Sequence, residues 1–169
     1  TGGQANYAVK FGNDIIIFTD VGINKLYYTG SPFVYGIQDA GVNCKAISPR
    51  SITSSGGFLS WISENSFFTY DGRVRELKSD VHDFIFDNLQ QNTQQATFGA
   101  HNIDYNEIWW FFPVGDVDQL TPNKYIIWNY FLRPFYLLRC CLLKLRHYRH
   151  LPWYRTWKFY RKLWTFDCK

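Results

Sequence analysis

At 169 residues the chain is long enough for one domain with a real core. Aromatics make up 20% of it, which favours pleated sheet, and its uninterrupted apolar runs, such as Ile15–Phe18, are far too short to cross a bilayer as a helix. The net charge of +4 sums two unlike parts: residues 1–130 carry 8 Lys+Arg against 13 Asp+Glu, whereas residues 131–169 carry 10 against the single acid Asp167.

The chain opens on the polar stretch Thr1–Asn6, where no basic region precedes an apolar one, so no signal peptide is read. Met is absent, the first position included, and the chain reads as a piece of a longer protein. A first meander follows: Tyr7–Phe11, a turn at Gly12-Asn13-Asp14, then Ile15–Phe18, a turn near Gly22, and Lys25–Tyr28. The second runs Lys45–Thr53, turns at Ser54-Ser55-Gly56-Gly57, continues as Phe58–Ile62, turns at Glu64-Asn65 and returns as Phe67–Tyr70. The spacing then predicts a helix near 79–90. Ser79 is its N-cap, Asp80 and Asp83 sit in the first turn, and Val81, Phe84, Ile85 and Leu89 form one apolar stripe. After the polar connector Gln90–Gln95, a third meander runs Ala96–Asn102, turns around Asp104-Tyr105-Asn106, continues as Ile108–Phe112 and returns as Tyr125–Trp128. In each, aromatic or β-branched runs are separated by clusters that supply turn backbone.

The middle strands begin at Ile15, Phe58 and Ile108, steps of 43 and 50 residues. A three- or four-stranded meander at that period is the repeat of a β-propeller blade, which cannot bury both faces alone and stacks radially. The fold class expected is mostly β: repeated antiparallel meanders of an incomplete β-propeller, about three blades over residues 1–130, with one short helix. An ordinary β-sandwich or a run of unrelated hairpins is the alternative. Three blades are too few to close a ring of about four to eight, so Ile15–Phe18 and Trp109–Phe112 would be left as apolar edges prone to aggregation.

Residues 131–169 form a second, basic aromatic segment that contains no Gly, Ala, Val, Ile, Ser, Asn, Gln, Glu or Met. Selection for a fold rarely removes so many residue classes at one point, and the segment reads as out of frame, disordered or helical, although Pro134 and Pro152 interrupt a helix. As a genuine sequence it would grip single-stranded nucleic acid or an anionic membrane. Arg139, Lys144, Arg146, Arg149, Arg155, Lys158, Arg161 and Lys162 would meet phosphates, and Trp153, Trp157 and Trp164 would stack.

The residues give little chemistry. Carboxylates are scattered. Asp116 and Asp118 resemble the start of a calcium loop that lacks its Gly and closing Glu. Cys140, Cys141, His147 and His150 could be imagined as a zinc site, yet adjacent cysteines fit neither metal spacing nor a disulfide framework, and Cys44 and Cys168 add no pattern. No phosphate loop and no GxSxG elbow occurs, and His82 and His101 do not cluster with acids. No enzyme, catalytic residue, metal, cofactor or small-molecule substrate is expected.

Certain strings carry a resemblance. Gly57–Trp61 with Ser66-Phe67-Phe68-Thr69-Tyr70-Asp71-Gly72, then Arg73–Leu77 and Asp80–Phe86, are followed by Ala100-His101-Asn102, Asn106–Pro113 and Lys124–Tyr130. Over roughly residues 45–130 this order resembles the tail nozzle proteins, also called tail tubular or packaged-DNA-stabilising proteins, of short-tailed bacteriophages. The resemblance implies a propeller-containing subunit of a homo-oligomeric ring, six-fold in the family, located in the virion tail. Its partners would be other tail proteins (the adaptor and fibres) and the genomic DNA that the ring retains and then conducts. It stops at Tyr130, where the composition also breaks. Two other functions remain open: nucleic-acid binding through the basic tail, and a carbohydrate- or cell-surface-binding propeller using Trp109 or Trp110. Both Trp are expected in the core, as neighbours on a strand buried on both faces.

Overall fold

A computed structural model describes residues 3–79, 81–89, 91–115, 121–131 and 135–139. Three four-stranded antiparallel sheets follow one another along the chain, each built from consecutive strands. The first holds β1 (Ala5–Phe11), β2 (Asp14–Thr19), β3 (Gly22–Tyr28) and β4 (Tyr35–Val42). The second holds β5 (Thr53–Ser54), β6 (Leu59–Ile62), β7 (Phe67–Tyr70) and β8 (Val74–Leu77). The third holds β9 (Phe98–Asn102), β10 (Glu107–Phe112), β11 (Lys124–Asn129) and β12 (Phe135–Arg139). The mostly β class and the repeated meanders are therefore as expected.

Turn chemistry sets the registers. Gly12, at φ 60°, joins β1 to β2, so that Phe11 faces Asp14 and Val9 faces Ile16. Asn106, left-handed at φ 57°, closes the short 3-10 turn Ile103–Tyr105 and starts β10 opposite Asn102. The region Lys45–Thr53 is not the long strand expected. Pro49 opens a 3-10 turn, Pro49–Ser51, whose Arg50 N–H donates to Ser48 Oγ, and only Thr53–Ser54 pairs with β6.

The sheets stack face to face in chain order around two cores. Ile16, Phe18 and Ile23 of the first sheet meet Leu59, Trp61 and Tyr70 of the second. The other face of the second sheet, Ile62 and Phe67, meets Ile108, Trp110, Phe112, Ile126 and Trp128 of the third. All four residues of β6 are buried, as a strand sandwiched between two sheets requires. A tryptophan anchors each junction to the backbone of the preceding segment. Trp61 Nε1–H donates to the Cys44 carbonyl at 2.7 Å, and Trp110 Nε1–H donates to that of Ser51 at 2.9 Å.

The helix α1 (His82–Asn88) closes the second core, but its apolar stripe is rotated from the expected one. Ile85 and Leu89 are buried and Val81 packs beside them; Phe84, by contrast, faces out at 39% exposure beneath the Lys124 ammonium, and Phe86 packs on Phe67 instead. The helix spans seven residues, and of the expected stripe only Phe84 and Ile85 lie within it. Ser79 is not the N-cap expected: Val81 holds that position without a side-chain cap bond, and Ser79 Oγ accepts from Val81 N–H ahead of the helix; Asp83 sits in the first turn, and Asp80 lies outside the described residues. The expectation that residues 131–169 are disordered or helical is corrected at Phe135–Arg139. That segment is β12, which satisfies the open edge of β11 from Lys124↔Arg139 to Trp128↔Phe135. Residues 132–134 and 140–169 lie outside the described residues.

Candidate functional site

Most of the described acids are engaged by structure. Asp14 binds Lys25 at 2.7 Å, Glu64 binds Lys45 at 2.8 Å, Asp71 binds Arg75 at 3.1 Å, and Glu76 accepts from Ser66 at 2.6 Å. The Trp109 indole N–H donates to Glu107 at 3.0 Å. The Asp83 carboxylate, bonded to the His82 ring at 3.1 Å, is the main cause that holds the imidazole above its ordinary pKa, and the Asn65 carbonyl adds to it. Burial pushes His101 the other way. The Cys44 thiol is fully buried, and desolvation raises it to about 11, which leaves it protonated and unreactive. Among the described residues no group of three His, Cys, Asp or Glu side chains could hold a metal ion.

A groove of about 640 Å³ runs between the first two sheets, along β4 from Gln38 to Val42 and past Tyr70, Gly72, Arg73 and Val74. Lys25 reaches it, held above its ordinary pKa chiefly by its hydrogen bond to Asp14, and burial raises the Tyr70 phenol. Both groups keep their protons at neutral pH and offer donors, and Asp39 adds a carboxylate to the lining. A second, shallower hollow is lined by Tyr7, Pro49, Arg50, Ile52, Phe98 and Gly99, where the first strands of the three sheets converge. The approach there is close: a Cβ on Gly99 would lie 2.2 Å from Thr53 Oγ1.

The candidate functional feature is the pair of sheet faces at the two ends of the stack. In the first sheet Ile15 pairs with Leu26, and Leu26 with Ile37, so the three form one row on the face turned away from the second sheet. Ile15 is 38% exposed and Ile37 67%, and Tyr28 and Tyr35 continue the face edge to face at 6.0 Å. In the third sheet the outward face carries Trp109 stacked on Tyr125 at 5.3 Å and 2°, and Phe111 stacked on Phe98 at 4.8 Å. Trp109 and Trp110 are thus separated by the pleat: Trp110 is fully buried, and Trp109 is half-buried on the outer face.

Register links the ends to the interior. Ile15 and Ile17 of β2 hold the positions that Leu59 and Trp61 hold in β6 and that Ile108 and Trp110 hold in β10. The latter four are fully buried against the preceding sheet. On the opposite side, Ile16 and Phe18 correspond to Ser60 and Ile62, and to Trp109 and Phe111. Ile15–Phe18 and Trp109–Phe112, expected as open edges, instead lie inside their sheets, β2 between β1 and β3 and β10 between β9 and β11. Which side of such a strand turns inward is not legible where both faces are apolar, as from Ile15 to Phe18.

Several sequence candidates lie outside the described residues: Asp116 and Asp118; Cys140, Cys141, His147 and His150; and the tail residues from Lys144 onward, Trp153, Trp157 and Trp164 included. For Arg139 only the backbone, in β12, is described. No helix of the described residues is long and apolar enough to cross a membrane. No protein-family model matches the chain. No curated protein matches it significantly.

Proposed function

We propose that this chain is a structural component of a bacteriophage tail, a propeller-type subunit of the nozzle ring that retains the genome and conducts it at ejection. The observation that carries the reading is the stack of three four-stranded meanders in chain order with a middle sheet buried on both faces. Blades of a propeller stack in this way. The ordered strings from Gly57 to Tyr130 that resemble the nozzle family map onto that stack: they supply β6 to β11 and α1. The role is geometric. Loops at the strand ends would contact neighbouring subunits, the adaptor and fibres, while the acidic balance of residues 1–130 would keep DNA from sticking in a conduit. The pairing of carboxylates with cations and side-chain donors suits a scaffold. Mass spectrometry of purified particles tests the proposal: peptides from residues 45–130 are expected at a stoichiometry of a ring, and particles without the protein should lose packaged DNA. A protein absent from particles overturns it.

A further inference from the structure

We infer that the groove between the first two sheets binds a carboxylate-bearing solute through the Tyr70 phenol, the Lys25 ammonium and the Arg73 guanidinium. The inference goes beyond the scaffold role and does not depend on it.

Strand β4 bulges beside the groove. Ile23 pairs with Gly41 and Asn24 with Asp39, so Ala40 is an extra residue with no partner opposite it. A Cβ on Gly41 would strike the Val74 side chain, so the two sheets touch there. Beyond that contact the groove is lined by Gln38, Asp39, Lys25, Tyr70 and Arg73. Its volume of about 640 Å³ falls within the range of about 300–1,000 Å³ usual for small-ligand clefts.

The polar lining holds donors that nothing else takes up. Tyr70 is 3% exposed, yet its phenol has no hydrogen-bond partner among the described residues. Its ring is fixed edge-on against Phe11 at 5.5 Å, which holds the hydroxyl at the groove. Lys25 gives one N–H to Asp14 at 2.7 Å and keeps two. Arg73, in the turn before β8, has no ion pair or hydrogen bond among the described residues. The acids, by contrast, are engaged: Asp14 by Lys25, and Asp39 by the Asn24 amide, oriented to donate to Oδ1 at 2.9 Å. Three side chains therefore ask for an acceptor.

Charge narrows that acceptor to a monoanion. Lys25 and Arg73 are equalled in number by Asp14 and Asp39, so a dianion such as phosphate would meet two carboxylates. A carboxylate brings a single charge, and its two oxygens match the planar guanidinium fork. The phenol O–H and the Lys25 ammonium can serve the lone pairs left over. On the same wall, the Gln38 amide both donates and accepts, which suits a hydroxyl or amide elsewhere on the ligand.

Isothermal titration calorimetry of the full chain tests the inference. The probes are glucuronate against glucose, N-acetylalanine against N-acetylalaninamide, and inorganic phosphate. At least one acid is expected to bind at least about tenfold more tightly than its uncharged counterpart and than phosphate. Preference for glucuronate assigns the groove to a sugar acid, and preference for N-acetylalanine to the carboxylate of a peptide end. Tyr70→Phe keeps the ring against Phe11, and Arg73→Gln alters an exposed turn, so both variants should fold, as the blue-shifted emission of buried Trp61 will report. Each is expected to weaken the acid at least about tenfold. Dissociation constants above about 10 mM for both acids overturn the inference. So does equal binding of the uncharged counterpart or of phosphate, or a folded variant that binds as the parent does. None of these outcomes touches the particle analysis that decides the tail role.

Discussion

Trp110 shows how much one residue carries: it fills the second core, donates to the Ser51 carbonyl and lies against Gly99. Gly99→Ala should therefore cost about 1–3 kcal/mol, because the new methyl meets both Thr53 Oγ1 and the indole, and urea midpoints will read the loss. The converse holds at Ser60, whose buried hydroxyl has no partner among the described residues. Ser60→Ala is expected to stabilise by roughly 1 kcal/mol, since it removes a desolvated group that returns nothing. The two described histidines oppose each other with pH. His82 is raised, so its contribution is full below the ordinary value of 6.5 and is lost as pH climbs through the folded value. His101 is lowered by burial, so its contribution is present above the ordinary value and is lost on acidification. His82→Gln should steepen the fall of stability between about pH 7 and pH 5, and His101→Gln should flatten it, in urea titrations at each pH.

At the scale of elements, α1 gives the clearest contrast. Ile85→Ala should cost about 2–5 kcal/mol, whereas Phe84→Ala, which loses little more than its contact with Lys124, should cost under about 1 kcal/mol. The sequence stripe had treated the two positions alike. Helical spacing names candidates for one face, but in a helix of seven residues a small rotation exchanges Phe84 for Phe86 without breaking the pattern. Strands were more legible. Ile15–Phe18, Phe67–Tyr70 and Ile108–Phe112 are apolar runs ended by Gly, Asn or Asp, and their turns fixed the meanders. The last strands of the first two sheets were not read. Tyr35–Val42 carries Gly36, Asp39 and Gly41, and Val74–Leu77 sets the adjacent charges Arg75 and Glu76 between two apolar residues; both are strands because a partner edge asks for one. The end faces escaped for a different reason. Which side of an apolar strand lies inward depends on a neighbouring sheet, and no local spacing records it.

For the whole molecule, burial is graded along the stack. The middle sheet has no free face, so amides of β6 and β7 should exchange with solvent most slowly and those of β1 and β4 far faster, a gradient that hydrogen-exchange mass spectrometry will resolve. A profile flat across the three sheets would contradict the stack. One feature also bears on synthesis. Every sheet is closed by strands adjacent in the chain, and none waits for a partner from far downstream. Emerging from the ribosome, the first meander can pair as soon as Val42 clears the exit, and each later one adds to a surface already formed. The nascent chain is its own template, growing one layer at a time: the Ile16/Phe18 face waits for the second meander and the Ile62/Phe67 face for the third.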